Sequence, residues 1–147
     1  MGKEKIMTKA FEIALKEYGT KGIMGVGESP QVLNYFAEIG HSWVKDDDTA
    51  WCAAFLNWCL KKAGATFTGS LLARSFLNFG TNTKTPTLGD IVVLWRVSPT
   101  SGFGHVGFFI SETADTIFIL AGNQDNQVNI KEFPKTKLLG YRTNYGS

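Results

Sequence analysis

Two cysteines and two histidines are the side chains through which this sequence could perform covalent chemistry. Cys52 and Cys59 lie seven residues apart in one apolar segment, whereas His41 and His105 are distant from each other along the chain. A nucleophilic cysteine requires a base within hydrogen-bond reach and a third group that orients the base. His105 follows the glycine-containing loop SPTSGFG and opens an apolar segment, which would place it at a strand edge. Cys52 and His105 are therefore a candidate pair for acyl transfer, with His41 as a loop residue.

The position of Cys52 suits a thiolate. The apolar pattern predicts a helix from about Ala50 to Ala63, with Asp48 or Thr49 as its N-cap. Unpaired backbone N–H groups and the positive end of the helix dipole favour negative charge in the first turn of a helix. The same N–H groups can hold an oxyanion. The alternative is a cysteine packed as a small apolar residue, which is our prediction for Cys59 in mid-helix.

The segment LAGNQDN carries the candidates for the group that would orient His105. Asn123 and Gln124 both carry amides that could bond to the far ring nitrogen and fix the tautomer. Adjacent side chains of a strand point to opposite faces. A strand that runs unbroken from Thr116 therefore allows only one of the two amides to face the histidine. Asn123 would share its face with Ala121.

The elements that must position these residues change in character along the chain. Helical spacing of apolar residues dominates the first half, and short β-branched or aromatic segments dominate the second half. Helices followed by a run of strands predict an α+β fold, with N-terminal helices packed on a roughly five-stranded antiparallel sheet. We predict one domain over residues 1–147, with helices at 4–18, 29–40, 50–63 and 70–80 and strands in the segments DIVVLWRV, HVGFFISE, TIFILAG, NQVNIKEF and LLGYR.

Composition limits the classes of partner. A hydrophobic content of 44% over 147 residues predicts a folded chain, and a net charge of +2 is too small to indicate nucleic-acid binding. No apolar run is long enough to span a membrane. The charged N-terminus does not read as a signal peptide or a lipid-anchor motif. We therefore expect synthesis in the cytoplasm, no membrane anchor, and dependence on outside help for any export.

The cysteines and histidines do not predict a metal site or a disulfide. Cys52 and Cys59 would be about 10.5 Å apart along a helix axis, too far to form a disulfide. Their spacing to the two histidines matches no zinc pattern. The acidic run Asp46–Asp48 lacks the alternating carboxylates of a calcium loop, so helix capping is the preferred interpretation and calcium binding the alternative. No metal or other cofactor is expected.

Four segments, WCAAFLNWCLKKAG, GDIVVLW, GHVGFFI and LAGNQDNQVNI followed by LGYR, resemble small NlpC-type and CHAP-like cell-wall peptidases in the same order. The resemblance covers residues 29–142 and is nearest to a subgroup common among phage and prophage lysis proteins. It implies a papain-like fold, bacterial peptidoglycan as the substrate, and cleavage of amide bonds in stem peptides or cross-bridges by a monomer without a cofactor. It also implies that Cys52 is the nucleophile and His105 the base.

The third catalytic position departs from the pattern of the relatives. Many CHAP members carry a Glu two residues before an Asn, and here Ala121 occupies the Glu position while Asn123 is retained. Because Asn123 shares the face of Ala121, Asn123 is predicted as the third catalytic residue, with Gln124 as its rival. Trp51 and Gln124 are predicted to contact substrate.

Two other functions stay open from the sequence. One is a secreted antibacterial effector amidase of the same fold, and the other is a non-catalytic module that binds peptidoglycan.

Overall fold

The computed structural model describes residues 3–22, 29–44 and 50–144, with side chains in the first range from residue 6 onward. Three α-helices come first: α1 (Lys3–Lys16), α2 (Pro30–Glu38) and α3 (Cys52–Ala63). The helix α2 begins as predicted, because the Ser29 hydroxyl accepts a hydrogen bond from the Val32 N–H and Pro30 takes the first helical position. The fourth predicted helix is a 3-10 helix over Ala73–Asn78.

The helix that carries Cys52 begins two residues later than predicted. Trp51 is its N-cap residue and makes no side-chain capping bond, and the proposed caps Asp48 and Thr49 lie outside the described residues. Gly64 ends the helix in the left-handed conformation, with φ of 81°. Cys52 is therefore the first helical residue, which places its thiol beside the unpaired N–H groups of the helix start.

In the part of the chain that the structure describes, six antiparallel strands form one sheet in the order β1-β6-β2-β3-β4-β5. The prediction of about five strands omitted β1, a three-residue edge strand that pairs with β6. The α+β fold with helices packed on an antiparallel sheet is confirmed. The strand bounds are Thr81–Thr83 (β1), Ile91–Trp95 (β2), Gly104–Glu112 (β3), Thr116–Gln124 (β4), Gln127–Pro134 (β5) and Leu138–Thr143 (β6).

The sheet separates two apolar clusters. The larger cluster joins the three helices to one face of the sheet, and α3 is buried at every residue from Cys52 to Leu60 because other elements surround it. The smaller cluster lies on the opposite face and includes Leu94, Phe109 and Tyr141. Among the described residues, no helix combines the length and apolar content needed to cross a membrane.

The β4–β5 hairpin contains an irregularity that matters for the site. Its turn at Asp125 and Asn126 has positive φ at both residues, as a two-residue type I′ turn requires. Between Ala121 and Gln124 the register shifts, so that two residues of β4 face one residue of β5. Asn123 lies in this bulge with φ of 59°.

Candidate active site

The start of α3 is seated on the start of β3, and this contact brings Cys52 and His105 together. His105 is close enough to Cys52 to shift the pKa of the thiol by its charge and by hydrogen bonding, and the backbone N–H of Val106 acts on the thiol in the same direction. Cys52 is 5% exposed and His105 is 8% exposed. The structure therefore joins the two residues that the sequence predicts as nucleophile and base, in a nearly dry environment where charge interactions are strong.

The electrostatics of the pair favour an ion pair. Burial opposes ionisation of Cys52, but the charge and hydrogen bond of His105, together with the N–H groups of Val106 and Ala53, lower the pKa of the thiol below its ordinary value. Burial likewise lowers the pKa of His105, yet the interaction with Cys52 and a hydrogen bond to Gln124 raise that pKa above its ordinary value. Both shifts stabilise thiolate and imidazolium together.

Gln124 is the amide that contacts the histidine. Its Oε1 lies 2.9 Å from Nε2 of His105, and its side chain is buried, with 2% exposed. The Nε2 of Gln124 lies 2.8 Å from the carbonyl oxygen of Asn129, 3.0 Å from Oδ1 of Asn129 and 3.2 Å from the carbonyl oxygen of Ile119. Those three acceptors fix which end of the amide faces the ring.

This orientation assigns the proton on His105. An amide oxygen can only accept, so Nε2 of His105 must donate to Oε1 of Gln124. The remaining ring nitrogen, Nδ1, is then unprotonated in the neutral ring and is the atom available to take the proton of Cys52. Gln124 thereby holds the tautomer that a general base next to a thiol requires.

The expectation that Asn123 faces His105 is wrong. It assumed an unbroken strand, whereas the bulge at Gly122 and Asn123 inserts an extra residue and exchanges the faces of the residues that follow. Gln124 therefore takes the place beside the ring, and Asn123 lines the neighbouring cavity.

Trp51, which the sequence predicts to contact substrate, is packed inside the protein. Its side chain is 1% exposed, stacks on Tyr35 with ring centroids 6.0 Å apart, and donates from Nε1 to Oδ1 of Asn126 at 3.3 Å. A Cβ at Gly122 would lie 2.7 Å from the indole ring. Trp51 fills the space between α3 and the bulge, so its contribution is to packing.

Sequence reasoning missed Arg74, which holds the loop before His105. The Arg74 guanidinium donates to the carbonyl oxygens of Ser98, Pro99 and Phe103 at distances of 2.8 to 3.0 Å. The sequence hints at a role for Arg74 only by placing an arginine inside the largely apolar segment SLLARSFLNFG. That position does not indicate which residues the guanidinium binds.

His41, the other histidine of the chain, is bonded away from this site. Nε2 of His41 lies 2.7 Å from the carbonyl oxygen of Gly69, and its ring packs against Trp43. The acidic run Asp46–Asp48 lies outside the described residues. Within the described ranges, no group of three or more His, Cys, Asp or Glu side chains could hold a metal ion. Cys59 is buried in α3 as predicted, and both cysteines are free thiols.

A family model described as "CHAP domain" matches residues 44–123, more than half of the chain. The chain belongs to the CHAP family. Members of this family are generally hydrolases that act on peptidoglycan, so the predicted resemblance is confirmed at the level of the family. The match contains Cys52 and His105 and ends at Asn123, one residue before the amide that contacts the histidine. No curated protein sequence matches the chain.

Two solved structures share the fold of this CHAP chain. One is a protein similar to a lipoprotein of the NLP/P60 family from Staphylococcus aureus subsp. aureus Mu50, with a TM-score of 0.54 and 14% identity over 98% of this chain and 42% of the other. The second, Ly7917, has a TM-score of 0.50 and 14% identity over 92% of this chain and 61% of the other. Both likenesses fit a papain-like fold, and the chain spans less than two thirds of either structure.

A cavity of about 360 Å³ adjoins the CHAP site. It lies beyond the ends of β2 and β4, on the side of the sheet that carries the smaller apolar cluster. Its lining includes His105 and Gln124, whereas Cys52 is not among the described residues that line it. The cavity is therefore bordered by the imidazole of the catalytic pair and not by the thiol.

Proposed function

We propose that this CHAP chain cleaves amide bonds in the stem peptides or cross-bridges of peptidoglycan through a thioester on Cys52. The observation that supports the proposal is a buried thiol and a buried imidazole that interact, Cys52 and His105, with the ring of His105 held in turn by Gln124 at 2.9 Å. A structural cysteine has no need of a buried imidazole whose tautomer is fixed. A nucleophile needs both features.

The proposed reaction proceeds by acyl transfer. The Cys52 thiolate attacks the amide carbon, and the backbone N–H groups at the start of α3 are available to hold the oxyanion. The imidazolium of His105 gives its Nδ1 proton to the leaving amine as the carbon–nitrogen bond breaks, which leaves a thioester on Cys52. Neutral His105 then takes a proton from water, the water oxygen attacks the thioester carbon, and the acid is released as the thiolate forms again.

Gln124 acts in this mechanism as the residue that orients His105, the role that sequence reasoning gave to Asn123. The amide accepts from Nε2 throughout the cycle, so protons enter and leave the ring only at Nδ1. No metal or other cofactor takes part in these steps. We propose further that residues 1–147 act as one catalytic unit, as a monomer, and that its setting is a phage or prophage endolysin that reaches the cell wall from the cytoplasm.

The test is digestion of purified peptidoglycan followed by mass analysis of the released fragments. We expect each cleavage to create one new amine and one new carboxylate and to create no new sugar reducing ends. Cys52→Ser should abolish the release, and a thiol reagent should label Cys52 in the folded protein while leaving buried Cys59 unlabelled. Full activity of Cys52→Ser would rule out the mechanism.

A further inference from the structure

The cavity beside the site is bordered by the imidazole of the catalytic pair. It is bordered by His105 and Gln124, with Cys52 outside its described lining. In acyl transfer the acyl part becomes bonded to the thiol sulfur, and the leaving amine takes its proton from the imidazole. We therefore expect a cavity bordered by the imidazole to adjoin the leaving part of the substrate.

More basic than acidic side chains line this cavity. Arg96, Lys131 and Lys137 line it, with Asp125 as the acidic side chain among its lining residues. Asp125 is already paired, since its Oδ1 lies 3.0 Å from Nζ of Lys131. Within the described residues, neither Arg96 nor Lys137 has a carboxylate partner, and the charge of Arg96 is close enough to lower the pKa of His105.

Two aromatic rings shape the same cavity. Nζ of Lys137 lies 5.6 Å from the centroid of the Trp95 ring, so the ring holds the ammonium group at the wall. The Phe133 ring packs against the ring of His105, with centroids 5.3 Å apart. The cavity therefore offers two uncompensated cations between apolar walls, an arrangement that suits a carboxylate on a short peptide.

We propose that this cavity binds a free carboxylate on the leaving segment of the substrate, through Arg96 and Lys137. The proposal rests on the proposed amide hydrolysis and adds to it the charge of the segment that departs. It predicts that the enzyme prefers peptides whose leaving segment ends in, or carries, an unamidated carboxylate.

The test uses binding, so that it does not depend on turnover. The probes are the stem tripeptide L-Ala-D-isoGlu-L-Lys as the free acid and the same tripeptide with its carboxylates converted to carboxamides, each titrated into Cys52→Ala protein by calorimetry or NMR. We expect the acid to bind at least about five-fold more tightly than the carboxamide, and the preference to weaken as salt is added.

Three variants in the Cys52→Ala background locate the effect. Arg96→Gln and Lys137→Gln should each reduce the preference for the acid. Lys9→Gln removes the same unit of charge from an exposed position outside the cavity lining and should leave the preference unchanged. Equal binding of acid and carboxamide, no binding of the acid, or a preference that survives both cavity variants would overturn the proposal.

Failure of the proposed function gives a different result. If Cys52 were not the nucleophile, Cys52→Ser would keep full hydrolysis while the binding preference and its loss in Arg96→Gln stayed measurable. If only the cavity proposal failed, hydrolysis would still require Cys52, and the acid and carboxamide probes would bind alike.

Discussion

At the scale of single residues, the chemistry of the site depends on how a buried thiol is allowed to ionise. Burial disfavours the thiolate of Cys52, and the opposing contributions come from His105 and from two backbone N–H groups, those of Val106 and Ala53. The amide of Gln124 adds directionality, because its oxygen can accept only from a protonated Nε2. The proton of the thiol can then move only to Nδ1.

The first prediction compares the two neighbouring amides. Gln124→Ala should lower kcat at least about ten-fold with little change in KM, because the imidazole loses the partner that fixes its tautomer. Asn123→Gly is the matched control, since glycine accepts the positive φ of that position while the amide is removed. It should change kcat less than about three-fold. The measurement is steady-state hydrolysis by both variants. A larger kcat defect in Asn123→Gly than in Gln124→Ala would contradict the assignment of Gln124 as the residue that orients His105.

The second prediction concerns the pH dependence of kcat/KM. Activity should rise with pH as Cys52 loses its proton, at a pH below the ordinary thiol range, and fall as His105 loses its proton, at a pH above the ordinary imidazole range. The hydrogen bond to Gln124 raises the pKa of His105, so Gln124→Ala should move the alkaline limb to lower pH. Asn123→Gly should leave both limbs in place. An alkaline limb that did not move in Gln124→Ala would show that the amide does not act on the ring.

At the scale of elements, the site is assembled where α3 meets the start of β3 and the end of β4. Gly122 is required at the bulge, because a Cβ there would lie 2.7 Å from the Trp51 ring and 2.9 Å from Cβ of Phe55. The loop before β3 is held from the other side by Arg74, whose guanidinium binds three carbonyl oxygens of that loop. His105 is therefore positioned from both flanks before any substrate binds.

The third prediction tests this support of His105. Arg74→Ala should lower kcat about ten-fold, because the loop before His105 loses its hydrogen bonds and a small displacement of a base is costly. Arg142→Ala is the matched control, since Arg142 also donates to two backbone carbonyl oxygens, those of Phe79 and Gly80, away from the site. Each removal should cost about 1–3 kcal/mol of unfolding free energy.

The two arginine variants are compared by kcat measured well below their unfolding temperatures, together with the rate of Cys52 alkylation. Arg74→Ala should slow alkylation at neutral pH, because fewer thiols are paired with an aligned imidazole, whereas Arg142→Ala should not. Equal losses of kcat in both variants would mean that Arg74 contributes only to stability.

At the scale of the whole molecule, the helix α3, which is buried at every residue from Cys52 to Leu60, is held between two other helices and a sheet. This packing buries the first residue of α3 in the core beside His105, whose ring borders the cavity. It also keeps Cys59, seven residues further along the helix, fully inside the core.

The fourth prediction concerns metal dependence of the whole protein. Hydrolysis of peptidoglycan should be unchanged by EDTA, because the proposed mechanism uses only a thiol, an imidazole, an amide and backbone N–H groups. The measurement is the rate of turbidity loss of a peptidoglycan suspension with and without the chelator. Loss of activity that calcium restores would instead identify the acidic run Asp46–Asp48 as a metal site.

The sequence by itself determined the parts of this protein that depend on local pattern. The apolar periodicity, the stop at Gly64 and the change to short β-branched segments predict the three α-helices and five of the six described strands, in their order along the chain. The positions of Cys52 at a helix start and His105 at a strand start follow from the same patterns. These features depend only on residues close to one another in the sequence, so one amino-acid sequence is enough to predict them.

Only the tertiary structure decided which amide faces the histidine. The bulge at Gly122 and Asn123 exists because β4 pairs with β5 at a shifted register and because Trp51 packs against the glycine. Strand periodicity cannot predict such a shift, and a shift by one residue exchanges the two faces of a strand. The burial of Trp51 and the partners of Arg74 depend in the same way on residues distant in sequence, whose contacts form only when the helices and the sheet have packed together.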